Sequence, residues 1–138
     1  MRTSRLSGNR PDGQEPVVTY ILHPADTALE EAMQAAGRGD HAAVIAAARR
    51  VIELDPQKLQ AWWLWGLAAL DSYLYQEAET VLTEGMNRLP AGHPARVRFL
   101  AQRVRALTPL GRYAEACEAA RQALALGVED AETLYLLA

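Results

Sequence analysis

The side chains able to do chemistry are few and scattered. His23, His41 and His93 are the three histidines, and Cys117 is the one cysteine. A metal site on a helix needs ligands one turn apart, and no pair of these four has that spacing. Each histidine stands beside a turn signal, in His23-Pro24, Asp40-His41 and His93-Pro94, which suits a solvent-facing or packing role. A cysteine nucleophile needs an activating base and a lowered pKa. Nothing around Cys117 supplies either, and beside Ala116 in a helical stretch it is expected as a buried, inert thiol. The carboxylates Glu30, Glu31, Glu77 and Glu79 fall on helix surfaces and in first turns, where the helix dipole favours them. There is no glycine-rich phosphate loop and no nucleophile elbow. The sequence therefore assigns no catalytic residue, no metal and no cofactor.

The elements that carry these residues are helical. The chain has 138 residues, enough for one domain with a real core. It contains 26 alanines, the mark of close helix packing, and few aromatic, Thr or Ile residues, which argues against extensive sheet. No apolar run approaches the ~18 residues of a membrane span. Lys and Arg number 14 against 17 Asp and Glu, a balance unsuited to coating nucleic acid. A single cysteine excludes an internal disulfide framework, and with no secretory signal the expected compartment is the cytoplasm. Residues 1–24 read as a flexible tail with a short apolar strap, Val17-Val18-Thr19-Tyr20-Ile21-Leu22.

A repeat follows. Asp55-Pro56 and Leu89-Pro90 each end a helical stretch, and their prolines are 34 residues apart. Between them stand Trp62, Trp65, Gly66 and Ala69, then Ala78, Leu82 and Gly85. Small residues such as Gly66 and Ala78 suit the close approach of two antiparallel helices, with Trp62, Trp65 and Leu82 filling the space beside them. The segment resembles the tetratricopeptide repeat, with Trp65 where Leu is usual and Ala69 where Tyr is usual. Before it, Thr27-Ala28-Leu29-Glu30 has the form of a capping box, Gly37-Arg38-Gly39-Asp40 makes a turn, and Val44, Ala48, Val51 and Ile52 form a second apolar stripe. After it, Gly111-Arg112-Tyr113-Ala114-Glu115-Ala116 resembles the family's turn-plus-Ala signature. This third signature lies four residues late: either the linker Ala91-Gly92-His93-Pro94 absorbs the extra, or the first helix is longer by one turn, the favoured explanation because Pro94 suits a helix first turn. Asp130, Leu134, Leu137 and Ala138 match the opening of a fourth copy. The expected fold is all-α: antiparallel helix hairpins stacked in a right-handed superhelical solenoid of seven helices, the last incomplete. The repeats fall at about 25–56, 57–90 and 93–127, with a partial copy at 130–138.

The resemblance implies a concave groove lined by the first helix of each hairpin. Helical spacing places Asp26, Leu29, Met33 and Ala36 there, then Gln60, Trp63, Leu67 and Leu70, then Arg98, Ala101, Arg105 and Thr108, and in the partial fourth copy Glu132 and Tyr135. Leu29, Met33, Trp63, Leu67 and Leu70 would bury a partner's apolar residues, and Arg98 and Arg105, seven residues apart, would read its acidic groups. For Trp63, packing against the strap or the next hairpin is the competing reading. Arg96 and Arg103 are expected to cover apolar surface with their stems while their heads reach water. A carboxylate clamp like that of the chaperone-binding subfamily would fall on Leu29, Met33, Leu64, Arg98 and Gln102, of which Arg98 alone carries a suitable charge, so that use is disfavoured. Three functions stay open: a non-catalytic protein-interaction module for a protein or peptide partner, acidic in part; the N-terminal arm of a larger bacterial enzyme such as a sulfotransferase or glycosyltransferase; and a self-association module pairing as a homodimer through its apolar C-terminal end.

Overall fold

Six helices in three antiparallel hairpins make up residues 23–127, the part of the chain that the computed structural model describes. In chain order they are α1 (Pro24–Gly37), α2 (His41–Leu54), α3 (Leu59–Asp71), α4 (Tyr75–Met86), α5 (Ala95–Leu107) and α6 (Tyr113–Leu126). The strap at 17–22 and the partial fourth repeat at 130–138, with the seventh helix and the C-terminal pairing surface expected there, lie outside the described residues. The all-α, stacked-hairpin expectation holds, because each helix packs chiefly on its neighbours in sequence.

Local signals set the helix ends, and two differ from the sequence reading. Helix α1 starts one turn before Thr27: the His23 imidazole caps it, Nδ1 accepting from Ala25 N at 3.1 Å, and Pro24 fills the first position. His93-Pro94-Ala95 repeats the device at α5, where His93 Nδ1 accepts from Ala95 N at 3.1 Å. The helix α5 is not longer than its counterpart, since α3 and α5 both have 13 residues. The late third signature arises instead from the connection over residues 87–94, against 55–58 in the preceding repeat, and from a longer turn at 108–112.

Each hairpin turns through the same C-terminal motif. Asp40 N donates to Ala35 O at 3.0 Å, Leu74 N to Ala69 O at 2.8 Å, and Arg112 N to Leu107 O at 3.1 Å. This six-residue closure places the residue before the donor in the left-handed region. Gly39 (φ 72°) and Gly111 (φ 76°) occupy it in the first and third hairpins, and Tyr73 (φ 63°) in the second.

Packing follows from the small residues. A β-carbon at Gly66 would lie 2.7 Å from Leu82 Cγ, and one at Gly85 would lie 2.6 Å from Trp62 Cβ and 2.9 Å from Phe99 Cε2. Helix α4 thus presses against α3 at both glycines and reaches α5 at the second. Leu82 and Leu100 are fully buried in the same cluster, each contributing roughly 1.5–3 kcal/mol by leaving water. Helix α1 runs close to α3 and α3 to α5, whereas among the described residues no close backbone approach joins α2 to α4 or α4 to α6. The first helices therefore form a continuous layer, and the second helices stand further apart from one another.

Polar bonds join the second hairpin to the third. Glu79 on α4 is buried and accepts from Arg103 NH2 on α5 at 3.1 Å and from Arg112 NH1 at 3.5 Å. Thr83 Oγ1 donates to the same carboxylate at 3.0 Å. Arg96 NH1 donates to Met86 O at 3.1 Å and Leu89 O at 3.2 Å, satisfying carbonyls at the end of α4. The heads of Arg96 and Arg103 are thus bound within the protein rather than solvated, because each faces an acceptor on the preceding hairpin. Glu79, read from sequence as a surface carboxylate, is the centre of this contact. Cys117 is also a correction: it is exposed, on the side of α6 away from the buried stripe of Ala116, Ala119 and Ala123.

Candidate functional site

The inner layer presents one stripe from each of its three helices. On α1 the accessible stripe is Asp26, Glu30 and Met33. On α3 it is Gln60, Trp63, Leu67 and Asp71, with Leu64 on the flank toward α1. On α5 it is Arg98, Gln102 and Arg105. These residues recur at three- and four-residue intervals, so each set lies on one side of its helix.

Five of the seven expected partner-binding residues occupy this face. Met33 is 49% exposed, Trp63 and Leu67 are half-buried, and Arg98 and Arg105 lie along α5. Two do not. Leu29, 8% exposed, packs with Ala25, Ala28, Val51 and Ala61 between α1 and its neighbours. Leu70, 2% exposed, packs in the main core with Leu82 and Leu100. Both were assigned to the groove by spacing, but 3.6 residues per turn carries them round toward the neighbouring helices. Ala101 of the wider groove set is buried for the same reason, while Asp26, Ala36, Gln60 and Thr108 are exposed.

Trp63 does double duty. Its ring meets Phe99 of α5 edge-on, with centroids 5.2 Å apart and planes at 63°. The contact fixes the indole against the third hairpin and leaves part of it on the inner face. A ring held this way gives up little side-chain freedom when a ligand covers it.

Internal pairs reduce the charge of this face. Lys58, at the start of α3, meets Asp26 at 2.8 Å. The Lys58 ammonium donates to the Asp26 carboxyl and holds it below its ordinary range, and Asp26 in turn raises Lys58. Arg105 lies 3.7 Å from Asp71 and donates to Gln102 Oε1 at 2.9 Å. The residues that sequence reasoning missed here are Glu30, Lys58 and Asp71. The pairs are interhelical, so no spacing rule within one helix points to them.

A concavity lies on the outer side, between α2 and α4. It measures about 290 Å³ and is walled by Ile52, Val81, Trp62 and Trp65, with Arg49, Glu53 and Glu84 at its rim. The two indoles stack with centroids 6.2 Å apart. Their N–H groups are already used, Trp62 Nε1 donating to Pro56 O at 2.8 Å and Trp65 Nε1 to Glu77 Oε2 at 2.6 Å. Among the described residues no three His, Cys, Asp or Glu side chains are grouped to hold a metal ion, and no helix is long and apolar enough to cross a membrane.

Comparison with solved structures gives 27 matching chains. One is the Arabidopsis OM64 TPR domain, matched with a TM-score of 0.71 over 82% of this chain and 90% of that one, at 20% sequence identity. No family model and no curated protein matches the sequence. The fold is therefore that of a tetratricopeptide domain, as the repeat residues imply.

Proposed function

We propose that this chain is a non-catalytic protein-interaction module that takes a peptide or helix of a partner on the inner α1–α3–α5 face. The observation that carries the reading is Trp63: an aromatic side chain braced on Phe99 and half-buried, one helical turn from half-buried Leu67 on α3, with exposed Met33 on α1. Aromatic anchors in such settings dominate binding energy. Leu67 and Met33 extend the apolar floor, and Arg98 and Arg105 stand at its α5 edge.

The test is selection of peptides from a random display library against the folded chain, followed by affinity measurement on variants. Trp63→Ala and Met33→Glu are expected to weaken the selected peptides ten-fold or more, which corresponds to roughly 1.4 kcal/mol. Met33 is exposed, so Met33→Glu changes the face without disturbing the core. Arg49→Ala and Glu53→Ala, at the outer concavity, are expected to leave affinity unchanged. Selected peptides that respond to the outer pair and ignore the inner pair would move the site to the α2–α4 side and sink the proposal.

A further inference from the structure

The inner face is neutral in sum but polarised across its width. Two of its ion pairs close on themselves, Asp26 with Lys58 and Asp71 with Arg105. That leaves Glu30 on α1 and Arg98 on α5, both exposed and neither in an ion pair among the described residues. They sit on opposite walls: α1 and α5 each run close to α3 and not to one another. Between them, on α3, lie half-buried Trp63, Leu64 and Leu67. Neighbouring packed helices stand 8–10 Å apart, so the two walls are separated by about 16–20 Å. An extended chain rises about 3.3 Å per residue, and five or six residues cover that span.

From this charge pattern, we propose that the face selects an extended segment with a cationic and an anionic side chain five or six residues apart and an apolar side chain midway. The cation meets Glu30, the apolar side chain lies on Trp63 and Leu67, and the anion meets Arg98. The inference rests on the inner layer being a peptide groove and adds to it the charge and spacing of the ligand. A uniformly acidic segment gains at Arg98 and loses at Glu30, and a uniformly basic one does the reverse.

The test uses seven-residue peptides capped at both termini, each with a central Leu. One pair carries Lys and Glu at opposite ends, in either order. The others carry Lys at both ends, Glu at both ends, or Lys and Glu side by side. Replacing one exposed attraction by a repulsion is expected to cost about five-fold in affinity at low salt. The better opposite-charge peptide should therefore exceed all the others by that factor, and high salt should shrink the gap. In Glu30→Lys the preference should pass to the peptide with Glu at both ends, and in Arg98→Glu to the one with Lys at both ends. Both sites are exposed, so the exchanges leave the core intact. Equal affinities across the set, or a preference that does not follow the exchanges, would overturn the charge assignment while leaving an apolar peptide groove in place. Failure of every peptide to bind would remove the groove reading and the inference with it.

Discussion

The left-handed backbone at Tyr73 should make a glycine stabilising there. Tyr73 has φ 63°, at the turn position that Gly39 and Gly111 fill in the sister hairpins. It is 77% exposed, so its ring buries little to compensate. A β-carbon in this region costs about 1–2 kcal/mol. Glycine recovers that and loses about 0.5–1 kcal/mol through the extra freedom of the unfolded chain. The ring also meets Tyr75 edge-on at 6.2 Å, a contact of about 0.5 kcal/mol at the exposed end of its range. Comparison with Tyr73→Ala removes this last effect, because both variants lose the ring. Tyr73→Gly should then be more stable than Tyr73→Ala by about 1 kcal/mol, or about 4 °C in Tm for a domain of this size.

The assay is thermal and urea unfolding of the two variants beside the parent chain. The sign is diagnostic, because at helix-interior positions alanine is better than glycine by a similar amount. Ala78→Gly, in α4 and fully buried, serves as that control and should destabilise. A Tyr73→Gly chain less stable than Tyr73→Ala would mean that the turn does not hold this residue left-handed, and the backbone argument would fail.

Three other outcomes follow from the packing and the charges. Gly85→Ala should destabilise by about 1–3 kcal/mol despite alanine's better helix propensity, because the added methyl meets Trp62 Cβ and the Phe99 ring; a gain in Tm would show that α3 and α5 can part there at no cost. Glu79→Ala should cost about 3 kcal/mol, since it strands the largely buried Arg103, and hydrogen exchange should quicken first in α5 and α6; uniform quickening over all six helices would separate the network from the third hairpin's attachment. The Asp26 carboxyl is depressed by the Lys58 ammonium, so its contribution is full above the unfolded-state value near pH ~3.9 and is lost as pH falls through the lower folded value; in Lys58→Met an NMR titration should find Asp26 back in the ordinary carboxylate range, and an unchanged titration would refute the pairing.

What the sequence disclosed depended on whether a feature repeats. Gly66, Trp62, Ala78 and Leu82 recur at spacings that a hairpin requires, and the structure puts them in the contact they imply. Of the seven residues expected on the inner stripe, Met33, Trp63, Leu67, Arg98 and Arg105 are exposed or half-buried on α1, α3 and α5, while Leu29 and Leu70 rotate into the core. That error is one of phase, since a stripe drawn at regular intervals drifts across a face only a few residues wide. The misplaced Arg96 and Arg103 have another cause. A long cationic side chain beside apolar neighbours reads as amphipathic, and its acceptor lies on a different hairpin. The caps at His23 and His93 were visible as a repeated His-Pro-Ala sequence, but histidine's ring nitrogen is an uncommon cap, so propensity gave it no weight.

The third hairpin shows where periodicity stops being informative. Its linker, residues 87–94, is twice the length of the one before it, so the repeat spacing does not fix where α5 lies against α3. Specific contacts fix it instead. Arg96 ties the start of α5 to the carbonyls closing α4, Phe99 inserts beside Gly85 and Trp63, and Arg103 bonds Glu79. Each of these contacts involves a residue of α5 within three positions of Arg98 or Gln102. The wall that carries Arg98 is therefore held by contacts outside the repeat pattern. The width of the inner face and the charge on its α5 side should then respond together to changes at Glu79 or Gly85, although both residues are buried on α4. A lost preference for opposite-charge peptides in Glu79→Gln, with Trp63 and Leu67 intact, would distinguish this coupling from a local role of each side chain.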